Sequence, residues 1–438
     1  MAGNLLARTL SRTSFADALG EDALVRAMLA FESALARSEA EAGIIPIEAA
    51  DAIEAVCSSA NLSVRHLAED GRLAGSLAIP FVKVLTELVR AANPKAASFV
   101  HYGSTSQDVL DTASVLCFLP CVQEADGVLA SSITLLAEHA RKNATVMMLG
   151  RTMMQPAIPI TAGLKIARWA TALSRCRARL AETAAQALCV QLGGPVGTLD
   201  ALGPKRVQVR RAVADRLGIA DARSWHIHRD ELLAFASALA ILVAAVGKIA
   251  GDIAMLSQAE VGEMFEAAPK KGVGTSSAMP HKRNPVACLQ ALAAAARAPG
   301  LMATLLHAGH EHERAIGGWQ AELATLPELL ETAGGAIDAL ERISAGLVVN
   351  PARMRQNLDA LQGLVFSERL SRLLMQSMDR ASAQSQVDDW CAAAVDQGRH
   401  LRDIVAEARA DLDLGTAFSL EAIVRELAPV LEEELAAL

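Results

Sequence analysis

A long proline-free stretch of the chain runs from Lys205 to Ala268 and is filled with alanine and leucine at helical spacing. Because proline kinks or ends a helix, such a window favours long helices over short strands joined by turns. Within it, Leu232 to Gly247 is apolar nearly all round, so this helix needs partners on every side. Hydrophobic residues make up 52% of the chain but aromatic residues only 3%, which favours closely packed helices. We therefore predict an all-α protein built around a central bundle of long helices.

Charge and cysteine usage exclude several classes of protein. The net charge of −8 and the lack of long basic runs argue against nucleic-acid binding. Seven dispersed cysteines without CxxC pairs fit free thiols in a reducing cytosol and predict no metal site. The first fourteen residues lack a signal-peptide core, and the apolar stretch 232–247 is short for a membrane span. We expect a cytoplasmic protein without a membrane partner.

Apolar stripes and caps suggest three helical domains, covering residues 1–108, 109–349 and 350–438. One stripe lies near the N-terminus and another lies late in the central bundle; their members are Leu24, Met28, Phe31 and Leu35, and Leu330, Ile337, Leu340, Ile343 and Leu347. Asn350 followed by Pro351 predicts a helix N-cap with proline in the first turn, which we take as the start of the third domain.

Residues 272–285, Gly-Val-Gly-Thr-Ser-Ser-Ala-Met-Pro-His-Lys-Arg-Asn-Pro, are the most specific segment of the chain. A plain surface turn would explain the glycines and prolines, but not the spacing of two serines, a lysine and an asparagine. Lys282 and Asn284 are suited to stabilise negative charge that develops on a carboxylate when the adjacent carbon loses a proton. A serine hydroxyl can act in that transfer only if nearby N–H groups and a cation favour its alkoxide.

Four further segments carry candidate site residues. In the segment 101–111, Gly103, Ser104, Thr105 and Ser106 offer hydroxyl and backbone N–H groups that can either cap a helix or hold a carboxylate at its N-terminus. Residues 150–157 contribute Thr152 and Gln155. The Arg-Asp pair in Trp-His-Ile-His-Arg-Asp at 225–230 favours a structural role. In Glu-His-Glu-Arg at 311–314, an anion contact and a surface salt bridge explain Arg314 about equally well.

The segment 272–285 resembles the signature of the fumarase/aspartase superfamily, with Thr275 where glycine is usual. The residues that fit are Ser276, Ser277, Met279, Pro280, Lys282, Asn284 and Pro285. The resemblance extends to Thr105, Ser106 and Asp108, and it implies a cofactor-free homotetramer whose active sites are each built from three chains. It makes Ser276 the group that moves the proton, together with Lys282 and Asn284. The substrate-binding residues that we expect are His101, Ser104, Thr105, Ser106, Thr152, Gln155, Ser277, Met279 and Arg314.

Most members of this superfamily protonate a poor leaving group with a histidine that a glutamate orients. Here Met153 stands at the histidine position and Leu289 at the glutamate position. A carboxylate leaving group needs no such acid because its conjugate acid has a pKa of about 4. The resemblance therefore implies a cycloisomerase of protocatechuate breakdown, which interconverts a carboxymuconate and its lactone. His101, His281 and His312 remain open as further proton donors.

Two other interpretations stay open at this point. An adenylosuccinate lyase-like enzyme would break a C–N bond and release fumarate, but it would need another acid in place of Met153 and a basic pocket for a phosphate. A structural protein without activity, as in the lens crystallins of this superfamily, fits poorly with the retention of Ser276, Lys282 and Asn284.

Overall fold

The computed structural model describes residues 5–267, 279, 281–309 and 311–438, and it confirms the predicted all-α class. Six helices precede the segment 101–111; they are α1 (Leu5–Arg8), α2 (Thr13–Ala18), α3 (Glu21–Glu41), α4 (Ile47–Ser59), α5 (Val64–Ala74) and α6 (Ala78–Ala92). Alanine and leucine dominate these helices, and both lose little side-chain freedom in a helix.

The centre of the chain forms the long helices that the sequence predicts. They are α7 (Ser106–Lys142), α8 (Ala162–Ala187), α9 (Arg206–Leu217), α10 (Asp230–Leu256), α11 (Val286–His307) and α12 (Gly318–Ala345). Apart from α9 they have 22 to 37 residues. Pro120, Pro299 and Pro327 lie inside α7, α11 and α12, so these helices run on past a proline because their neighbours hold them.

Six helices complete the chain; they are α13 (Pro351–Asp359), α14 (Ser367–Leu374), α15 (Arg380–Gln397), α16 (Leu401–Ala408), α17 (Leu414–Ala417) and α18 (Leu420–Ala436). The predicted cap of α13 is confirmed, since the Asn350 side chain accepts a hydrogen bond from the Arg353 N–H group and Pro351 opens the helix. In α14 to α16, Leu370, Leu374, Val387, Trp390 and Leu401 are buried in one cluster.

Strands form two small antiparallel pairs in the described part of the chain. They are β1 (Met147–Thr152) with β2 (Gln155–Thr161), and β3 (Met264–Glu266) with β4 (Leu347–Val349). The second predicted apolar stripe extends past the end of its helix. Leu330, Ile337, Leu340 and Ile343 are buried in α12, but the last member, Leu347, belongs to β4. A β-branched pair, Val348 and Val349, follows Leu347 and favours the strand.

The chain divides into two compact units, and each is described by itself. The first comprises residues 1–128, 176–247 and 290–338, and the second comprises residues 129–175, 248–289 and 339–438. In the first unit α3 packs against α4 and α9, and the predicted stripe residues Met28, Phe31 and Leu35 are fully buried. The three-domain division at residues 108 and 349 stays a prediction.

Three of the long helices carry more apolar surface than one chain covers. By length and composition alone, α7, α10 and α11 could each span a membrane. Between 28% and 56% of their most apolar windows is buried within the chain. Ile241, Leu289 and Leu306 are among the large apolar side chains that stay exposed on α10 and α11. This surface bears on the assembly proposed below.

One buried carboxyl group in α3 gives a test of the fold. Glu39 is fully buried, and neither of its carboxyl oxygens has a hydrogen-bond partner among the residues that the structure describes. Burial, together with the charge of Glu32, raises the pKa of Glu39 from 4.5 to about 9. The folded chain therefore keeps a proton that the unfolded chain releases above pH 4.5. Keeping this proton lowers the free energy of unfolding. The loss is absent below pH 4.5 and grows by about 1.4 kcal/mol per pH unit until Glu39 ionises.

We predict that Glu39→Gln removes most of this pH dependence. Urea unfolding at fixed protein concentration, measured between pH 5 and pH 8.5, checks the prediction. The free energy of unfolding of the wild type should fall more steeply with pH than that of the variant, by about 1.4 kcal/mol per pH unit. Glu48→Gln, at an exposed glutamate of α4, is the matched control and should keep the wild-type slope. Equal slopes in the wild type and Glu39→Gln would refute a neutral Glu39.

Candidate active site

The turn that leads into α7 is fixed by one buried carboxylate, that of Asp108. Its Oδ1 accepts hydrogen bonds from the Gly193 N–H group and the Gln191 amide, both at 2.9 Å. Its Oδ2 accepts from the N–H groups of Gly194 at 2.9 Å and Thr105 at 3.1 Å. Burial raises the pKa of Asp108 to about 6, although these hydrogen bonds lower it. Asp108 is thus an internal anchor of the turn and is shielded from any ligand.

The glycines around this anchor allow two backbone segments to approach closely. Gly103 and Gly194 both have φ of +67°, a conformation that other residues rarely adopt. A Cβ atom on Gly194 would lie 3.1 Å from the Gly103 carbonyl oxygen. The Leu-Gly-Gly-Pro sequence at 192–195 therefore serves to bring the loop after α8 against the turn 101–105.

Thr105 is the N-terminal cap residue of α7, but its hydroxyl group is not used for capping. The Asp108 side chain reaches back to the Thr105 N–H group, as the fourth residue of a capping box does. The Thr105 hydroxyl group instead accepts a hydrogen bond from Arg314 at 2.7 Å. The segment therefore caps α7 through the Asp108 side chain, and the Thr105 hydroxyl group remains available for another contact.

Arg314 lies in the loop before α12 and is exposed. Besides Thr105 it contacts the Pro195 carbonyl oxygen at 3.4 Å. Among the residues that the structure describes, Arg314 forms no ion pair with a carboxylate, so the surface salt bridge is not its role here. A guanidinium group next to a helix N-terminus gives this corner a positive potential that suits an anion.

A buried ion cluster holds the elements on which Arg314 and the turn depend. Arg229 donates to Asp111 at 2.7 Å and to Glu322, and its guanidinium lies 4.4 Å from the centroid of the Trp225 ring. The Trp319 indole donates to Asp111 at 2.9 Å. Burial lowers the pKa of Arg229, but the two carboxylates raise it on balance. The expected structural role of Arg229 is met with partners in α7 and α12 rather than with the adjacent Asp230.

The segment 224–226 supports the same loop from the other side. The Gln191 side chain accepts from the Trp225 N–H group at 2.8 Å, and Ser224 Oγ lies 2.7 Å from His226 Nδ1. Gln107 donates to the His226 carbonyl oxygen at 2.6 Å. These contacts make Trp-His-Ile-His-Arg-Asp a scaffold for the turn rather than part of a reactive surface.

In the second unit, the motif at 150–157 forms an exposed hairpin tip. Thr152 and Gln155 face each other across a turn made by Met153 and Met154, and all four residues are exposed. Met153 has φ of +49° and Met154 has φ of +66°, which is strained for residues with long side chains. Met153, at the histidine position of the superfamily, is 97% exposed within the chain.

The hairpin is tied to its unit by Arg151. Its guanidinium makes two hydrogen bonds, at 2.7 and 2.8 Å, with the carboxylate of Glu263, which is fully buried. The Asn357 amide donates to the same carboxylate at 2.8 Å. Paired charges with complete hydrogen bonding hold a buried position firmly, so the arginine of the motif sets the hairpin in place.

The signature segment is described only in part. Ser276 and Ser277 lie outside the described residues, as do Thr275 and Pro280. The Lys282 side chain is exposed, and the backbone N–H group of Lys282 donates to the Met279 carbonyl oxygen at 3.0 Å. Asn284 is half-buried. The carboxylate of Glu266 accepts from the N–H groups of Ala287 and Cys288 at the start of α11.

The first unit thus brings together His101, Ser104, Thr105, Ser106 and Arg314, while Thr152, Gln155, Met279, Lys282 and Asn284 belong to the second unit. Sequence reasoning missed the supporting residues, which are Glu32, Gln191, Gly193, Glu263 and Glu266. Glu32 and Glu39, seven residues apart on the buried face of α3, were the one available signal, because charged residues rarely lie on such a face without a purpose.

Comparisons with known proteins show the family of the chain. A family model described as a lyase matches residues 9–300. The 3-carboxy-cis,cis-muconate cycloisomerase of Bradyrhizobium diazoefficiens is 42% identical over 404 residues, which cover 92% of this chain and 89% of that protein. The nitrosuccinate lyase of Streptomyces davaonensis is 37% identical, with 92% and 87% covered.

A solved structure is similar over almost the full length. The crystal structure of the 3-carboxy-cis,cis-muconate lactonizing enzyme from Pseudomonas putida gives a TM-score of 0.92 at 37% identity and covers 99% of both chains. The chain is therefore an enzyme that belongs to the lyase family, within the fumarase/aspartase superfamily.

Proposed function

We propose that this enzyme interconverts 3-carboxy-cis,cis-muconate and 4-carboxymuconolactone by intramolecular addition of a carboxylate to a double bond. The observation that carries the proposal is the hairpin tip, where an apolar Met153 replaces the acid that members with poor leaving groups require. The relatives that act on this muconate, 42% identical in one case, support it over release of fumarate from an amine.

The reaction fits a site without that acid. In lactone opening the leaving group is a carboxylate, which departs as a stable anion because its conjugate acid has a pKa of about 4. In ring closure the same carboxylate attacks the double bond, and negative charge builds up on the carboxylate attached to the neighbouring carbon until that carbon gains a proton. A cation and hydrogen-bond donors are the groups that stabilise this charge.

We assign the stabilising groups to the signature segment and the binding groups to the other segments. Lys282 and Asn284 stabilise the developing charge, and Ser276, or a water that it orients, hands the proton to the carbon. The substrate carries three carboxylates, and the binding residues are His101, Ser104, Thr105, Ser106, Thr152, Gln155, Ser277, Met279 and Arg314. The pairing of Arg314 with Thr105 beside the N-terminus of α7 supports this assignment for one carboxylate.

The assembly that we propose is a homotetramer in the cytoplasm, with each active site shared between subunits. The exposed apolar side chains of α10 and α11 support it, because apolar helix faces of this size are commonly covered by other copies of the chain. The exposed hairpin tip supports it as well, since Met153 and Met154 would then be covered by a neighbouring subunit.

We predict that the purified protein consumes 3-carboxy-cis,cis-muconate, followed as loss of the conjugated-diene ultraviolet band, and leaves adenylosuccinate intact. Ser276→Ala should lower kcat by a factor of about 10² to 10⁴, the range for loss of a positioned proton-transfer group, while the oligomer still forms. Ser58→Ala, at an exposed serine of α4, is the control and should keep the wild-type rate. Cleavage of adenylosuccinate without loss of the muconate would reverse the assignment, and full activity of Ser276→Ala would remove that serine from the mechanism.

We predict that Arg314→Gln weakens substrate binding more than it slows the reaction. Loss of one charge-assisted contact to a carboxylate should raise KM for the muconate by a factor of about 10 to 100, with a smaller change in kcat. Steady-state kinetics of the wild type, Arg314→Gln and Thr105→Val provide the measurement. Arg65→Gln is the control, because Arg65 is exposed and pairs with Glu69 on its own helix. An unchanged KM in Arg314→Gln would exclude this arginine from the binding site.

A further inference from the structure

Ring closure consumes one proton, and the histidine–glutamate pair that supplies protons elsewhere in the superfamily is replaced here by Met153 and Leu289. The first unit contains a different pair. His101 Nδ1 lies 2.5 Å from Glu32 Oε1, so a carboxylate in α3 holds the imidazole of the turn 101–105. The His101 side chain is 14% exposed and that of Glu32 is 1% exposed. Of the other two candidate donors, His281 and His312, neither has a carboxylate partner among the described residues.

The contacts of the pair leave one nitrogen of the imidazole available. Nδ1 is committed to Glu32, whereas Nε2 has no hydrogen-bond partner within the described part of the chain. A carboxylate on one nitrogen fixes the tautomer and directs the other nitrogen toward its task, as in histidines of known proton-transfer sites. The same turn carries Thr105, which binds Arg314, so His101 belongs to the corner of the site that the previous section assigns to a carboxylate.

The surroundings favour the charged imidazole. Burial lowers the pKa of His101, but the charge and hydrogen bond of Glu32 and the charge of Asp108 raise it on balance. Two other titratable groups near Glu32, Glu39 and Cys57, are neutral at pH 7, because burial raises the pKa of Glu39 to about 9 and that of Cys57 to about 12. Glu32 is the carboxyl group that contacts the imidazole directly.

The backbone indicates that the position of His101 is maintained at a cost. Its φ of +58° places it in the left-handed region, which costs a residue with a side chain on the order of 1 kcal/mol. Asparagine or glycine would fit this conformation better, yet the turn carries a histidine joined to a buried glutamate. Such strain is retained where the side chain has a function that its replacement would lose.

We propose that His101, oriented by Glu32, is the proton source for ring closure, an inference that rests on the proposed function. The substrate carboxylate forms the new C–O bond, the π electrons of the double bond move to the adjacent carbon, and that carbon gains a proton. The Nε2–H bond of the imidazolium breaks to supply it, through the hydroxyl group or water that faces the carbon. Neutral His101 keeps its Nδ1–H on Glu32 and takes a new proton from solvent. In lactone opening the same steps run backwards and neutral His101 accepts the proton.

The experiment compares pH profiles of kcat for the wild type, His101→Asn and Glu32→Gln in both directions. Asparagine tolerates positive φ, so His101→Asn keeps the turn and loses the titrating group. It should lower kcat by a factor of about 10² to 10⁴. Glutamine can still accept the Nδ1–H bond but has no charge, so Glu32→Gln should lower the pKa of His101. Ring closure needs the imidazolium, so the pH above which its kcat falls should be lower than in the wild type by one unit or more. Lactone opening should gain activity at a correspondingly lower pH.

Glu39→Gln, in the same helix, is the matched control and should leave both limbs of the profiles in place at neutral pH. A histidine NMR titration of the folded proteins, with the His101 signal identified by its loss in His101→Asn, checks independently that Glu32→Gln lowers this pKa. If the contact between His101 and Glu32 only holds the turn against α3, both variants should have a lower kcat with an unchanged pH dependence. That result overturns the proposal. A wild type that leaves the muconate unchanged overturns the proposed function and this inference together, whereas an active wild type with a fully active His101→Asn overturns the inference alone.

Discussion

The carboxylate of Asp108 is the constraint on which the described part of the site depends. It gathers four N–H donors from the turn before α7 and from the loop after α8, two segments that are more than eighty residues apart in sequence. A buried charge of this kind is tolerated only because its hydrogen bonds are complete. Since Asp108 caps α7, the hydroxyl group of Thr105 is free to meet Arg314, and His101 is held at the entrance of the same turn.

In the proposed mechanism, one histidine–glutamate pair of the superfamily is replaced and a different pair supplies the proton. Met153 and Met154 make the hairpin tip apolar, and two of the predicted site residues, Arg314 and Lys282, are exposed cations of the kind that suits a substrate with several carboxylates. Glu32 and His101 form a carboxyl–imidazole pair whose chemistry suits proton transfer. An enzyme whose leaving group is already a stable anion has no need of an acid at the leaving atom, but it still needs a proton at the neighbouring carbon.

Local sequence was sufficient where the physical cause is local. Helix α10 followed from a proline-free window of alanine and leucine, and the start of α13 followed from Asn350 and Pro351, because caps and helix propensity act within a few residues. Helices α7, α11 and α12 continue past a proline, which no such window predicts. The candidate residues of the first unit were chosen because a polar turn of glycines and hydroxyl groups ahead of an apolar helix is unusual, and their role in binding stays a prediction. Leu347 was misplaced because a three-residue strand has too few residues to show its own period.

The sequence by itself determined the helical class, the superfamily and the residue types at the site, because these depend on composition, spacing and an extended signature. Only the tertiary structure decided which partner each side chain has. Glu32 meets His101 across 69 positions, Asp108 meets Gly193 across 85, and Thr105 meets Arg314 across 209. Contacts over such separations arise when whole helices pack, and no local pattern encodes them.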